Sequence, residues 1–239
     1  MVAWCLEDIG WVLLAARNFD HVIVYSKCNG VPPPQLTVEK KITIETLPNI
    51  GVCDQTYLHH IVTNWDSLAF WTVFYKGFLL FHCLPFEMIR TEVESFPSFL
   101  CCYGHTADEN DPNGFSPSFE LFHYSPRHHE AMTGFVLANQ TLGQWVASTF
   151  GYANALRMFS FSFSFCYGGY FAVPLHTIRR QPISVYEAMK KQQVHIIEEV
   201  DHFIERSWRV LFLGPILGCT ANDTDIWVDP GNMTKLDIK

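Results

Sequence analysis

The chain has 239 residues, of which 49% are hydrophobic and 17% are charged, and its formal net charge is −8. This composition is typical of globular proteins and excludes the intrinsically disordered class. A negative chain without a basic stripe is unsuited to neutralising phosphates, so we expect no nucleic-acid partner. The length suits one large domain, and no internal repeat or linker divides it.

Cysteine usage and targeting signals bear on the compartment. The eight cysteines are too sparse for a small disulfide scaffold and none forms a C-x-x-C pair, so we expect buried free thiols. Three N-glycosylation sequons, at Asn139, Asn222 and Asn232, are compatible with the secretory pathway. The N-terminal segment lacks the basic start of a signal peptide. Because no apolar run reaches about 18 residues, we expect no transmembrane segment.

The first half of the chain alternates predicted strands and helices. Apolar and β-branched runs predict strands at 2–6, 21–27, 41–47 and 70–77. A helix is predicted over residues 9–18, and apolar residues at helical spacing from Tyr57 to Trp65 predict another, which Asp54 or Thr56 would cap. We therefore expect a single α/β domain, with a mostly parallel sheet and helices on both faces. Ligands of such sheets bind outside the carboxyl ends of the strands.

The second half is less regular. Residues 101–130 form a long polar stretch, which is typical of a functional or disordered loop. Helical spacing returns at 141–152, and alternating Phe and Ser within 158–174 predict a half-buried strand. A long helix is predicted from Ser184 to about Val210, with Ile196 on its core face and Glu198, Glu199 and Asp201 on its solvated side. We expect residues 1–214 to form the domain and 215–239 a loose polar tail.

Four sequence blocks occur in an order that resembles a known family. They are EDIGW at 7–11, LPNIGVCDQTYLHHIVTNWDSLA at 47–69, GGYFAV at 168–173 with IRRQPISVYEAM at 178–189, and ERSWRVLF at 205–212. Their order resembles the family catalogued as domain of unknown function 3431. The turn in the second block is also similar to the N-x-G-R-D turn of rhamnan-synthesis-type glycosyltransferases, which have the GT-A fold, a nucleotide-sugar-binding α/β sheet.

The resemblance implies a divergent glycosyltransferase-like protein that binds a nucleotide sugar and transfers its glycosyl group to a glycan or other acceptor. The positions that the resemblance implies for the nucleotide sugar are Glu7, Asp8, Lys27, Asn49 and Gly51. Gly168 and Gly169 would lie on the acceptor side. Candidate catalytic residues are His60, Asp54 and Glu205, and Glu205 has the alternative of a purely structural ion pair.

This chain also departs from the family pattern. Val52 and Cys53 stand where the family has Arg and Glu, and Asp54 comes one position late. GT-A enzymes usually hold a divalent metal, Mn²⁺ or Mg²⁺, through a D-x-D motif after the fourth strand, where this chain has Lys76 and Gly77 followed by FLLFHC. These departures favour the alternative of a catalytically inactive relative that keeps the fold as a binding module.

The remaining candidates for metal binding lie in the long polar stretch. Asp108 and Asp111 are clustered acids that could replace the lost metal motif. Together with His128 and His129 they define a third and weaker hypothesis, a metal-dependent hydrolase. These residues lack the spacing of a motif such as H-E-x-x-H, which places two histidines on one face of a helix.

Overall fold

The structure is a computed structural model that describes residues 1–28, 30–77, 86, 89, 91, 99–101, 115–120, 135–160, 166 and 169–217. Several predictions fall outside the described residues. They are the Phe and Ser alternation at 161–165, most of the polar stretch, the tail beyond 217, Gly168, Asp108, Asp111, His128 and His129.

A six-stranded mixed sheet lies at the centre of the described part of the chain, with its strands in the order β3–β2–β1–β4–β6–β5. The strands are β1 Val2–Trp4, β2 Val22–Ser26, β3 Ile42–Thr46, β4 Trp71–Lys76, β5 Leu100–Cys101 and β6 Phe171–Pro174. Strands β1 to β4 are parallel, whereas β6 is antiparallel to its neighbours β4 and β5. The predicted α/β class with a mostly parallel sheet is confirmed, and the four strands predicted in the first half are all present with shorter ends.

Helices cover both faces of the sheet. On one face, α1 Val12–Asn18 and α2 Pro34–Thr37 contribute to a core with Val24 and Tyr75. On the other face, a larger core around Tyr57 and Phe171 is formed by α3 Val52–Thr63, α4 Leu142–Phe150, α5 Tyr152–Phe159, α6 Leu175–Ile178, α7 Ile183–Gln192 and α8 Glu199–Leu213. None of the described helices has the length and apolarity to cross a bilayer.

Helix α3 begins at a turn that only partly matches the prediction. Its N-cap is Gly51, whose left-handed backbone (φ 56°) is a conformation that glycine adopts without steric cost. Asp54 and Thr56 lie buried inside the helix, so the prediction that one of them is the cap was wrong. Val52 also has a positive φ, 31°, which is strained for a β-branched residue.

The long helix predicted from Ser184 is instead two helices, α7 and α8, separated by residues 193–198. This segment crosses the start of α3. The Gly51 amide donates to the carbonyl of His195 at 2.8 Å, and the Val52 amide donates to that of Ile196 at 3.5 Å. Ile196 is exposed rather than part of the core, so its predicted position was wrong.

The three acids predicted on the solvated side of that helix are buried, which corrects the prediction. Glu198 and Asp201 form a reciprocal capping box at the start of α8, in which the Glu198 amide donates to Asp201 Oδ2 at 3.1 Å. Asp201 Oδ1 accepts a hydrogen bond from Gln193 Nε2 at 2.6 Å. Glu199 Oε2 accepts one from the Ala138 amide at 3.0 Å. Glu198 and Asp201 accept hydrogen bonds from donors in the segment between α7 and α8, whereas the donor to Glu199 comes from Ala138.

Two disulfides join described cysteines, Cys5 to Cys28 and Cys101 to Cys166, so the expectation of free thiols was wrong for these four. Cys53 is a buried free thiol, as expected. Cys5 follows β1 and Cys28 follows β2, and these parallel neighbours bring the two Cα atoms within 4.8 Å. Disulfides are typical of proteins that fold in oxidising compartments.

Candidate functional site

The order of the strands changes direction at β1 and β4, and we call the region outside the carboxyl ends of these two strands the crevice. Strands β2 and β3 extend the sheet on one side of β1, while β4 lies on its other side. The chain passes from β1 to β2 on one side, whereas β4, β6 and β5 extend the sheet on the other, so the topological switch point where open α/β sheets bind ligands lies between β1 and β4. Here the crevice lies outside Trp4 and Lys76, the last residues of the two strands.

The loop after β1 is fastened to the end of β4. Trp11 Nε1 donates a hydrogen bond to the Gly77 carbonyl at 2.9 Å, and Trp4 Nε1 donates one to the Glu7 carbonyl at 2.9 Å. The Glu7 carboxylate lies so close to Gly77 that a Cβ atom there would be 2.7 Å from Glu7 Oε2. Gly77 thus permits the close approach of the two loops at the crevice.

Glu7 and Asp8 are both exposed at this edge, as the predicted donor site requires. Glu7 Oε2 accepts a hydrogen bond from the Cys5 amide at 2.8 Å, and Asp8 Oδ1 accepts one from the Gly10 amide at 2.9 Å. One oxygen of each carboxylate therefore shapes the loop.

Ionisable side chains gather at the carboxyl end of β4. We call Asp54, Lys76, His202, Glu205 and Arg206 the β4 cluster. Lys76 Nζ lies 3.7 Å from Glu205 Oε1, while His202 Nδ1 and Arg206 Nη1 lie 3.8 Å and 3.9 Å from Glu205 Oε2. Strand β4 contributes the lysine, α3 the aspartate and α8 the other three, so the cluster joins residues far apart in sequence.

Asp54 is a buried member of the β4 cluster. Its Oδ1 accepts a hydrogen bond from Trp208 Nε1 at 2.7 Å, and its Oδ2 accepts one from the Cys53 thiol at 3.5 Å. Burial, reinforced by the negative charge of Glu205, raises the pKa of Asp54 above its ordinary value. Burial also raises the pKa of Cys53, so this thiol stays protonated. Asp54 is thus a buried partner within the cluster rather than a group that a substrate can reach.

Lys76 and Glu205 stabilise each other's charges. Burial alone would raise the pKa of Glu205, but Lys76, His202 and Arg206 outweigh it and lower that pKa. Burial alone would lower the pKa of Lys76, yet the acidic groups around it raise that pKa overall. Both side chains are therefore charged at neutral pH. The Lys76 side chain is 32% exposed and that of Glu205 is 15% exposed, so the lysine is the more accessible of the two.

Gly169, the predicted acceptor-side glycine within the described residues, lies against this cluster. It has a φ of 68°, and a Cβ atom on it would lie 3.5 Å from Lys76 Cε and 3.9 Å from Glu205 Oε1. The ring of Tyr170 follows, with its centroid 5.9 Å from Lys76 Nζ. The structure therefore brings together Gly169, Glu205 and Asp54 from the predicted sets.

Lys27 does not reach the crevice. Its side chain is buried, and its Nζ donates hydrogen bonds to the carbonyls of Ile50 and Val52. Burial lowers the pKa of Lys27 to about 8. The structure therefore does not place Lys27 at the expected nucleotide-sugar site, because its ammonium group binds the turn before α3.

The turn before α3, with Asn49 and Gly51, is present, but its first amides do not point to a free nucleotide-sugar site. Asn49 is exposed beside Gly51, and the sharp turn into α3 is present. The carbonyls of His195 and Ile196, however, accept hydrogen bonds from the first amides of this turn. These amides are therefore already paired.

His60 lies away from the crevice, so its predicted position at the site was wrong. It occupies the third turn of α3, towards the amino ends of the strands, where its Nδ1 lies 3.0 Å from the Tyr25 hydroxyl. Burial lowers the pKa of His60 to about 3, which keeps it neutral. His59 points elsewhere, with its Nδ1 3.2 Å from Lys190 Nζ.

Sequence reasoning missed Lys76 and His202 as members of the site. A lysine that ends an otherwise apolar strand was the available signal for Lys76. His202 had none, because its helix was predicted without the break that orients it.

No group of three or more metal-ligating side chains occurs within the part of the chain that the structure describes. Asp108 and Asp111, the predicted metal candidates, lie outside that part.

Comparison with models of known protein families, with curated proteins and with solved structures found no match. The resemblance to the family of unknown function therefore stays a prediction, and the function is argued from the crevice and the β4 cluster.

Proposed function

We propose that this chain is a glycosyltransferase-like protein that binds a nucleotide sugar in the crevice outside β1 and β4 and transfers its glycosyl group to a glycan or another acceptor. The observation that carries the proposal is Lys76, a charged and partly exposed lysine at the carboxyl end of β4, at the switch point of the sheet.

A nucleotide sugar brings a diphosphate that needs compensating positive charge. GT-A enzymes usually supply it through a metal held after the fourth strand, and this chain has Lys76 and Gly77 there. Lysine binds phosphate as a compact point charge with three donors. Lys76 would thus exchange part of its interaction with Glu205 for the diphosphate, so donor binding would not require a metal.

His202 and Glu205 supply a chemically suitable base for the transfer. Glu205 Oε2 lies 3.8 Å from His202 Nδ1, and the His202 side chain is 27% exposed. A carboxylate that orients a histidine is a common arrangement in general-base catalysis, and such contacts often shorten once substrate binds. In the proposed step the acceptor oxygen bonds to the anomeric carbon, the bond from that carbon to the diphosphate oxygen breaks, and the acceptor proton passes to His202.

A panel of nucleotide sugars tests the proposal by thermal unfolding, with and without Mn²⁺. At about 100 times its Kd a donor adds about 2.7 kcal/mol of stability. For a chain of this size that corresponds to a rise in Tm of about 5–10 °C. We expect one donor class to produce this rise without Mn²⁺. The absence of a rise with every donor would refute the proposal.

Variants at Lys76 locate the binding site. We expect Lys76→Met to abolish donor binding in a titration at 25 °C, and Lys76→Arg to restore part of it. The matched control is Lys191→Met at an exposed position on the last turn of α7. Unchanged affinity in Lys76→Met would place the donor elsewhere.

A second candidate function, a binding module without catalysis, is favoured by one specific observation. Val52 and Cys53 stand where the family has Arg and Glu. The amides of this turn already donate hydrogen bonds to the carbonyls of His195 and Ile196. Mass spectrometry of the donor after incubation with the protein and simple acceptors separates the two functions. Release of the nucleoside diphosphate would exclude the module, whereas donor binding without release over many hours would support it.

A further inference from the structure

A cavity lies at the amino ends of the strands, at the end of the sheet opposite to the crevice. It has a volume of about 430 Å³ and is lined by residues at the amino ends of β1, β2 and β4, such as Val2, Val22 and Trp71. This volume falls within the range of small-molecule sites, which is about 300–1,000 Å³. The β4 cluster contributes no residue to its walls, and Trp11, which also donates to the Gly77 carbonyl, is shared with the loop at the crevice.

The walls of this cavity are mainly apolar. Ala15 of α1 lines the cavity together with Trp11 and Phe19, which flank that helix, and the loop before β4 contributes Leu68 and Phe70. The Phe70 side chain is 73% exposed, so an aromatic ring stands at the rim in contact with water. Small-molecule sites combine such apolar walls with a few polar groups that fix orientation.

Two uncharged polar side chains of the cavity come from the end of α3. His60 and Asn64 both line it, and they share a network with the hydroxyl of Tyr25, which lies 3.0 Å from His60 Nδ1 and 3.4 Å from Asn64 Nδ2. His60 is neutral for the reason given above. Asp20, an exposed acid, also lines the cavity and disfavours an anionic ligand.

We propose that this cavity binds a small, uncharged and largely apolar molecule whose single hydroxyl or carbonyl group hydrogen bonds to the His60–Asn64 pair. The apolar body fills the space between α1 and the loop before β4, beneath Phe70. This site is independent of the proposed nucleotide-sugar site, because the two lie at opposite ends of the strands.

Binding of the uncharged dye Nile red tests the proposal directly. Ala69 lines the cavity from an exposed position, so Ala69→Trp fills it from the solvent side without disturbing the core. The matched control is Ala153→Trp, an exposed position on α5. We expect one saturable dye site per chain, a loss of affinity of about tenfold or more in Ala69→Trp, and wild-type affinity in the control. Far-ultraviolet circular dichroism checks that both variants fold.

Competition with two ligands of equal chain length tests the preference for an uncharged molecule. We expect 1-decanol to displace the dye and decanoate at pH 8 to be at least about tenfold weaker. Equal displacement by both would overturn the preference for an uncharged ligand. Dye binding that does not saturate, or that is unchanged in Ala69→Trp, would overturn the cavity site itself.

Discussion

Asp201 makes the stability of the fold depend on pH in a direction opposite to that of most carboxylates. Burial raises the pKa of Asp201 to about 7 from the ordinary 3.8, despite the hydrogen bonds it accepts from Gln193 and the Glu198 amide. Between about pH 4 and pH 7 the folded chain therefore holds more protons than the unfolded chain. The contribution of Asp201 to the free energy of unfolding is greatest below pH 4 and is lost as the pH rises through 7.

The magnitude follows from the two pKa values. Each tenfold change in proton affinity is about 1.4 kcal/mol, so the change from 3.8 to about 7 corresponds to about 4 kcal/mol. Asp201→Asn cannot ionise and lacks this dependence. Its amide nitrogen replaces one of two oxygens that accept hydrogen bonds, which costs about 1–3 kcal/mol at every pH. We expect the variant to be less stable than wild type at pH 4.5 and equally or more stable at pH 8.

Urea unfolding followed by tryptophan fluorescence, without reductant, gives the free energy of unfolding at several pH values between 4.5 and 8. The quantity to plot is the difference between variant and wild type, because titration of all other groups then cancels. Asp66→Asn, at an exposed position, is the matched control, and we expect its difference to stay constant. A difference for Asp201→Asn that does not change with pH would refute the reasoning about its burial.

Three further predictions concern the turn before α3 and the disulfides. Gly51→Ala should destabilise the fold more than Gly151→Ala in the same urea assay. Both glycines have a positive φ, but only a Cβ at Gly51 would clash, at 2.8 Å from Gln193 Nε2. Equal losses of stability in the two variants would contradict this. Lys27→Met should lower stability by about 2–3 kcal/mol, since two carbonyls lose their donor, without changing nucleotide-sugar affinity. Replacing both cysteines of Cys101–Cys166 by Ala should lower the free energy of unfolding by about 1 kcal/mol more than the same replacement at Cys5–Cys28. The first disulfide closes a loop with a sequence separation of 65 and the second a loop with a separation of 23, so the first removes more entropy from the unfolded chain. The reverse order of Tm values would count against loop entropy as the cause.

The strands of the first half could be predicted because their signals are local. Each is a short apolar or β-branched run between turns, and burial within a parallel sheet demands only that pattern. The turn at Gly51 was likewise visible, since a sharp change from strand to helix needs a glycine there. Hydrophobic pattern and turn chemistry therefore sufficed for the fold class.

The buried acids could not be predicted, because their partners are distant in sequence. Glu198, Glu199 and Asp201 look like the solvated side of one long helix. Their burial depends on donors from the segment between α7 and α8 and, for Glu199, from Ala138. A helical pattern cannot reveal that the helix is broken, nor that a carboxylate has found backbone donors.

The candidate site was predicted in part for the same reason. The carboxyl ends of the strands could be expected to bind a ligand, but the β4 cluster depends on contacts among α3, β4 and α8 that no local motif encodes. Lys27 and His60 were assigned to the right strand and helix. Their side chains point to backbone carbonyls and to Tyr25 instead of the crevice.

The position of β6 constrains the order in which the protein can be completed during synthesis. Within the described sheet, β5 pairs only with β6, although Leu100 and Cys101 leave the ribosome some seventy residues before Phe171–Pro174. Strand β5 therefore cannot pair until β6 has been synthesised, whereas β1 to β4 can assemble before that. A nascent chain stalled before residue 171 would hold a four-stranded parallel sheet whose β4 edge is open to the wrong partner.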